Sequence, residues 1–201
     1  MKYELTSETK KIGTVVLYRI KALRSVGDCK KGDLGGWIGK ESNLSQEGNA
    51  WVSGDAWVFG DAQVFGYAQV SGYAQVSGNA QVYGNARVSG DAQVFGRAQV
   101  FGDAWVFGYA QVSGYAQVSG YAQVSGNAQV YGNARVSGDA QVFGRAQVFG
   151  DAWVSGDARV SGDARVYGNT RVYGDAPTPN VTESECVSIG GKKYRLVEVK
   201  D

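Results

Sequence analysis

The sequence has no histidine, one methionine, two cysteines and two prolines among its 201 residues. Without an imidazole, the commonest general base near neutral pH and the commonest zinc ligand are both missing. Cys29 and Cys186 are too few for a disulfide framework, and free thiols fit a reducing compartment. Charge of neither sign dominates: 20 Lys and Arg against 19 Asp and Glu leave a net charge of +1. A nucleic-acid binder carries a basic stripe and a high pI, and the overall balance shows neither. Long hydrophobic runs are lacking as well. The longest, Val15 to Tyr18, is far too short to span a bilayer, and Met1 to Lys11 is polar with no apolar segment of signal-peptide length. The expectation is a chain that avoids membranes and stays in the cytoplasm.

Glycine, by contrast, is abundant at 30 residues, and it is periodic. From Gly48 to Tyr173 the chain reads as 21 unbroken hexads, beginning GNAWVS, GDAWVF, GDAQVF, GYAQVS. Glycine opens each hexad and valine is fifth in each. Alanine is third in all but the last, where Thr170 replaces it. A strict period of this kind is the mark of a solenoid. Alanine and valine stand two apart, so in an extended segment they face the same way, and the Gln, Arg or Trp between them faces the other. Ala-x-Val is therefore a short strand with an inward Ala/Val face. Glycine supplies the bend with a positive φ, and Asp or Asn beside it can bond locally to the backbone.

A strand of three residues has no independent stability. Stacked coils supply it, each hydrogen-bonded to the next at about 4.8 Å and each valine lying on the valine of the adjacent coil. Each buried valine contributes about 1.5–3 kcal/mol, much of it offset by the entropy of ordering the chain. The fold class read from this pattern is an all-β, single-stranded parallel β-helix.

The pairing of an aliphatic residue four before a small one, Val58 with Ala62 and Val64 with Ala68, resembles the left-handed hexapeptide-repeat β-helix. That resemblance implies a triangular prism with three hexads per coil, hence about seven coils, and a trimeric assembly. One departure is that glycine falls two places after valine rather than one. The stretch Gly32-Asp33-Leu34-Gly35-Gly36-Trp37-Ile38, followed by Asn43-Leu44-Ser45-Gln46, resembles enteric-bacterial and phage hexapeptide-repeat proteins classed as acyltransferase-like from their repeats.

Raw strand edges at the ends of a solenoid need caps. Residues 1–47 are expected to form an N-terminal β cap, with a strand over Thr14 to Leu23, a turn over Lys30 to Gly36, and Trp37 and Ile38 plugging the first coil. Residues 48–176 form the β-helix. Residues 177–201 form a C-terminal hairpin cap, Val187-Ser188-Ile189 returning through Lys192 to Val199. Pro177 and Pro179 cannot donate to a ladder, so pairing is expected to stop there. With caps at opposite ends, Cys29 and Cys186 lie too far apart for a disulfide.

Enzymes with the resembled fold use either a histidine base for acyl transfer or three histidines on zinc, and no position here can receive either role. No cofactor and no metal site is expected, and the chain is read as non-enzymatic. The acyltransferase reading survives only as an analogy of fold. Nine aspartates, Asp55 and Asp61 among them, occupy the same bend position and read as turn residues. The remaining chemistry is guanidinium beside aromatic rings, which can hold phosphates and stack bases. The candidate ligand-binding residues are Arg97 and Arg145 with Phe95, Phe101, Phe143, Tyr109 and Tyr121. The bland alternative is that such ladders stabilise the solenoid surface or bury against another subunit.

Residues 66–106 are identical to residues 114–154, an offset of 48 residues or eight hexads. With three hexads per coil the copy lands on a different face. The first face then reads Trp57, Gln75, Gln93, Gln111, Gln129, Gln147, Arg165; the second runs from Trp51 through Arg87 and Trp105 to Arg159; the third from Gln63 through Arg135 and Trp153 to Arg171. The five glutamines of the first face are expected to bond side chain to side chain. The leading functional expectation is a self-associating β-helical binding or scaffold protein of phage or bacterial origin. The alternative is a phage-type sponge that sequesters a small nucleotide in grooves between subunits, and a host protein is a further partner.

Overall fold

A computed structural model describes residues 1–174 in full, and beyond them the backbone of Pro177–Thr178, Val187–Ile189 and Lys192–Tyr194. The chain is a parallel β-solenoid. Strands of two residues, three in Trp153–Ser155, follow one another at intervals of six from Trp51–Val52 to Arg165–Val166, and they assemble into three parallel sheets. Each strand pairs with those 18 residues away: Gln93 lies between Gln75 and Gln111, and Arg87 between Gln69 and Trp105. Three hexads therefore make one coil, and the three faces are those read from the sequence.

Every repeat alanine and valine from Ala50 to Val160 is at most 1% exposed. The residue between them points outward, as the period-two alternation requires. The bends rest on glycine: Gly48 to Gly168 have φ between 63° and 74°, and among the described residues no other type has a positive φ. The bend is then bonded from rung to rung by backbone, as in Asp61 N–H to Gly78 O at 2.7 Å and Arg97 N–H to Gly114 O at 2.7 Å. The local side-chain bonds expected of Asp and Asn do not form among the described hexads. Asn85 and Asn133 reach instead to Asp103 and Asp151, one rung on, at 3.1 and 2.9 Å.

The first and second faces carry eight rungs, one more than the hexads alone supply. On the first face the added rung precedes the repeat, strand β3 (Leu34–Ile38) pairing with Trp57–Val58, and Leu44 bridges likewise to Val64 on the third; on the second face it follows the repeat, as Pro177–Thr178. Ile38 fills the core as expected. Trp37 takes the opposite, outward column in register with Trp57, where the cap's Lys10 and Arg19 bury it. Beyond β3, strands β1 (Tyr3–Ile12) and β2 (Val15–Ala22) extend the first face as an antiparallel hairpin. A bulge between Leu5 and Thr9 interrupts β1 at the sheet edge, where bulges and charged side chains discourage further pairing.

At the far end pairing does not stop at the first proline, since Pro177–Thr178 pairs with Arg159–Val160. In earlier rungs the amide at this register position donates to the following rung, as Gln141 N–H does to Ala158 O. A proline there gives up only a bond toward the C-terminal end. Val187–Ile189 and Lys192–Tyr194 form the expected antiparallel pair. Cys29 is a free thiol, and Cys186 and Pro179 lie outside the described residues.

Buried polar groups close the N-terminal mouth. Gln46 accepts from Lys2 N–H at 2.7 Å and donates to Tyr3 O at 3.1 Å; the Tyr3 hydroxyl sits 2.7 Å from Leu44 O. The fully buried Lys2 ammonium donates to Ala50 O at 2.7 Å. Burial, with a smaller push from Arg24, lowers Lys2 from 10.5 to about 8. Burial, aided by Glu41, raises the Tyr3 phenol above its ordinary value. Between the folded and unfolded values of Lys2 the unfolded chain holds the extra proton, so stability rises with pH across that window. Above the ordinary tyrosine value the unfolded chain loses the Tyr3 proton first, and stability falls again. Comparing wild type with Lys2→Met cancels the tyrosines. Thermal melts from about pH 7.5 to about pH 10 should show the wild type gaining about 2–3 kcal/mol relative to the variant. A constant difference would contradict a charged, buried Lys2.

Candidate functional site

The repeat places its chemistry on three corners and three faces, and the seven expected ligand residues divide among the corners. Phe95 and Arg97 share the corner between the first and third faces. Phe101 and Tyr121 lie between the third and second, and Tyr109, Phe143 and Arg145 between the second and first. Within one chain they do not converge on one point. Arg97 instead engages Tyr115, the residue 18 positions on: its Nη1 donates to the phenol oxygen at 3.0 Å, and the guanidinium lies 5.3 Å from the ring centroid. Applying the 18-residue offset to the corner residues, and not only to the strand residues, identifies Tyr115 from the sequence alone.

The aromatic residues follow two patterns. Some stack along a corner: Phe65, Tyr83 and Phe101 are parallel at 4.9 and 5.0 Å, and Tyr131, Phe149 and Tyr167 at 4.9 and 5.3 Å. These use their ring faces on one another, as cross-strand ladders do. Others stand free of such stacks. Tyr67, Tyr73, Tyr109, Tyr115 and Tyr121 are 57–64% exposed, and Phe95, Phe143 and Trp105 are exposed too.

The duplication reproduces contacts as well as residues. Tyr83 on Phe101 becomes Tyr131 on Phe149, and Trp105 Nε1 to Ser89 becomes Trp153 Nε1 to Ser137, each at 3.1 Å. Gln99 to Gln81 at 3.5 Å on the third face becomes Gln147 to Gln129 at 3.4 Å on the first. The amide ladder expected along the first face is thus one long pair there and its copy elsewhere, both beyond the usual hydrogen-bond range.

Titratable groups add little chemistry. Lys40 holds the Asp61 carboxyl below its usual range. Burial and Asp33 push the Cys29 thiol up, away from a reactive thiolate. Near the cap, Lys10 and Arg19 stack on the indoles of Trp37 and Trp57. No helix among the described residues is long and apolar enough to cross a membrane.

A concavity at the cap departs from the repeat. The loop before β3 stands beside the second face and encloses about 520 Å³ between Asp28, Cys29 and Asp33 on one side and Asn49, Trp51 and Gln69 on the other. It continues through Asn49 and Gln69 into a recess of about 320 Å³ lined by Tyr67, Asn85, Arg87 and Asp103.

A family model described as the YdcK beta solenoid repeat matches residues 80–96, 128–144, 146–162 and 158–174. The first two matches are the same segment in the two copies of the duplication. No curated protein matches the chain. The match and the geometry agree on a β-solenoid repeat protein.

Proposed function

We propose that this chain is a non-catalytic β-helical scaffold, cytoplasmic and of phage or bacterial origin, which associates with itself through its corners. The observation that carries the reading is the set of corner tyrosines Tyr73, Tyr109 and Tyr121, each more than half exposed. Aromatic side chains are enriched in interfaces, where a ring offers large contact area and a hydroxyl that can still be satisfied. The absence of histidine supports a role without acid–base or zinc chemistry. A trimer brings corners of three prisms side by side. Sedimentation velocity should show a species of about three chains, shifted toward monomer by Tyr109→Ser with Tyr121→Ser. A clean monomer at high concentration overturns self-association.

A second reading, sequestration of a small nucleotide, is supported by the Arg97–Tyr115 pair, which sets a guanidinium on an exposed ring. The residues named for it lie on separate corners, so such a site needs two copies. A cyclic nucleotide at a hundred times its Kd should add about 2.7 kcal/mol of stability. No shift across a cyclic-nucleotide panel removes this reading.

A further inference from the structure

We infer that the cleft between the cap loop and the second face binds a neutral, hydroxyl-rich chain, an extended oligosaccharide. This goes beyond the scaffold reading and does not depend on self-association. Its starting point is where the cleft lies. Away from the cap the described lateral surface is built from hexads of nearly constant shape, whereas here non-repeat residues roof the repeat. Boundaries between two structural units are favoured positions for ligand clefts.

The lining selects the ligand class. Asp28, Asp33 and Asp103 face the connected recesses against one guanidinium, Arg87. That excess of carboxylates disfavours phosphates and other anions. Amides supply the next feature: Asn49, Gln69 and Asn85 each present a donor and an acceptor, the pairing a hydroxyl can match in either sense. The side chains of Asn49, Gln69 and Arg87 make no hydrogen bond to other described residues, so their capacity is open. Between Asn49 and Asn85 in the corner column stands Tyr67, 60% exposed, whose ring suits the C–H face of a sugar.

Spacing supplies the last element. Asn49, Tyr67, Asn85 and Asp103 occupy successive rungs, about 4.8 Å apart. That is close to the advance per residue of an extended glycan. A ladder of planar polar groups and one ring at this interval can meet successive sugars in the same way.

The duplication provides an internal control. Forty-eight residues on, Tyr115, Gln117, Asn133, Arg135 and Asp151 repeat the column on another corner, with Arg97 in place of Asn49. Among the described residues no cap loop covers that copy, and Arg97 already occupies Tyr115.

The test uses the intact chain with cellohexaose, maltohexaose, xylohexaose and chitohexaose, read by calorimetry. At least one should bind, and Tyr67→Ala should weaken it by about tenfold or more. Tyr115→Ala should leave the affinity unchanged. Both tyrosines are exposed, so neither substitution threatens the fold. No binding by any of the four, or equal weakening by Tyr115→Ala, overturns the proposal. Sedimentation is unaffected by either result, so failure here is separable from failure of the scaffold reading.

Discussion

Replacing Gly114 with alanine is expected to destabilise the protein by about 3–5 kcal/mol, while the same change at Gly162 costs only about 1–2 kcal/mol. Both glycines are left-handed, with φ of 68° and 65°, so each variant bears the strain of an L-residue in that region. They differ in what lies above. A Cβ at Gly114 would meet the backbone N and O of Gly132 at 2.9 Å, and among the described residues a Cβ at Gly162 meets nothing within 4 Å. The clash at Gly114 involves backbone on both sides, which cannot swing away as a side chain would. Two rungs must separate, and their inter-rung bonds at that corner lengthen. Denaturant unfolding of the two variants checks this. Equal losses would mean that the glycine columns are not in contact.

Deleting residues 114–131 is expected to leave a folded protein with one rung fewer, whereas deleting Gln117 alone should cost several kcal/mol. The longer deletion removes three whole hexads, so every residue beyond it keeps its face and its inward or outward sense. Loss of Gln117 makes Ala116 and Val118 neighbours, and adjacent residues in a strand face opposite ways. One of two fully buried side chains must leave the core. A displaced valine forfeits about 1.5–3 kcal/mol. Each backbone group parted from its partner in the neighbouring rung costs about 1–3 kcal/mol more. Circular dichroism and thermal unfolding separate the outcomes: the shorter solenoid retains its β signal and a melting point close to wild type, and the single deletion lowers it sharply.

The repeat was legible because each hexad states its structure three times over, in the glycine bend, the Ala/Val spacing and the outward polar residue. The ends were less so, because each is a single instance with no period behind it. Polar β1 became a strand through pairing with β2, and its residues Thr6 to Glu8 bulge rather than alternate. Trp37 reads as a core plug by hydrophobicity, yet its place two rungs from Gln75 on the outward column puts it under Lys10 and Arg19. Pro177 reads as a terminator, but the amide it lacks is one that points to the next rung. The aromatic and arginine residues are legible as candidates and their grouping is not, since adjacency along the chain in Phe95-Gly96-Arg97 matters less than the 18-residue offset that brings Arg97 to Tyr115. The cleft depends on a loop whose placement no spacing in the sequence expresses.

The central claim is that three hexads close one coil, with alternate side chains turned to a common axis. Pyrene excimer emission reads this most directly, on a background in which Cys29 and Cys186 are serine. Gln111 and Gln129 are register partners on the first face, while Gln123 belongs to the second. Labels at Gln111→Cys with Gln129→Cys should give strong excimer emission, and labels at Gln111→Cys with Gln123→Cys should emit as isolated pyrenes. Excimer from the second pair and none from the first, in folded protein, would contradict the account.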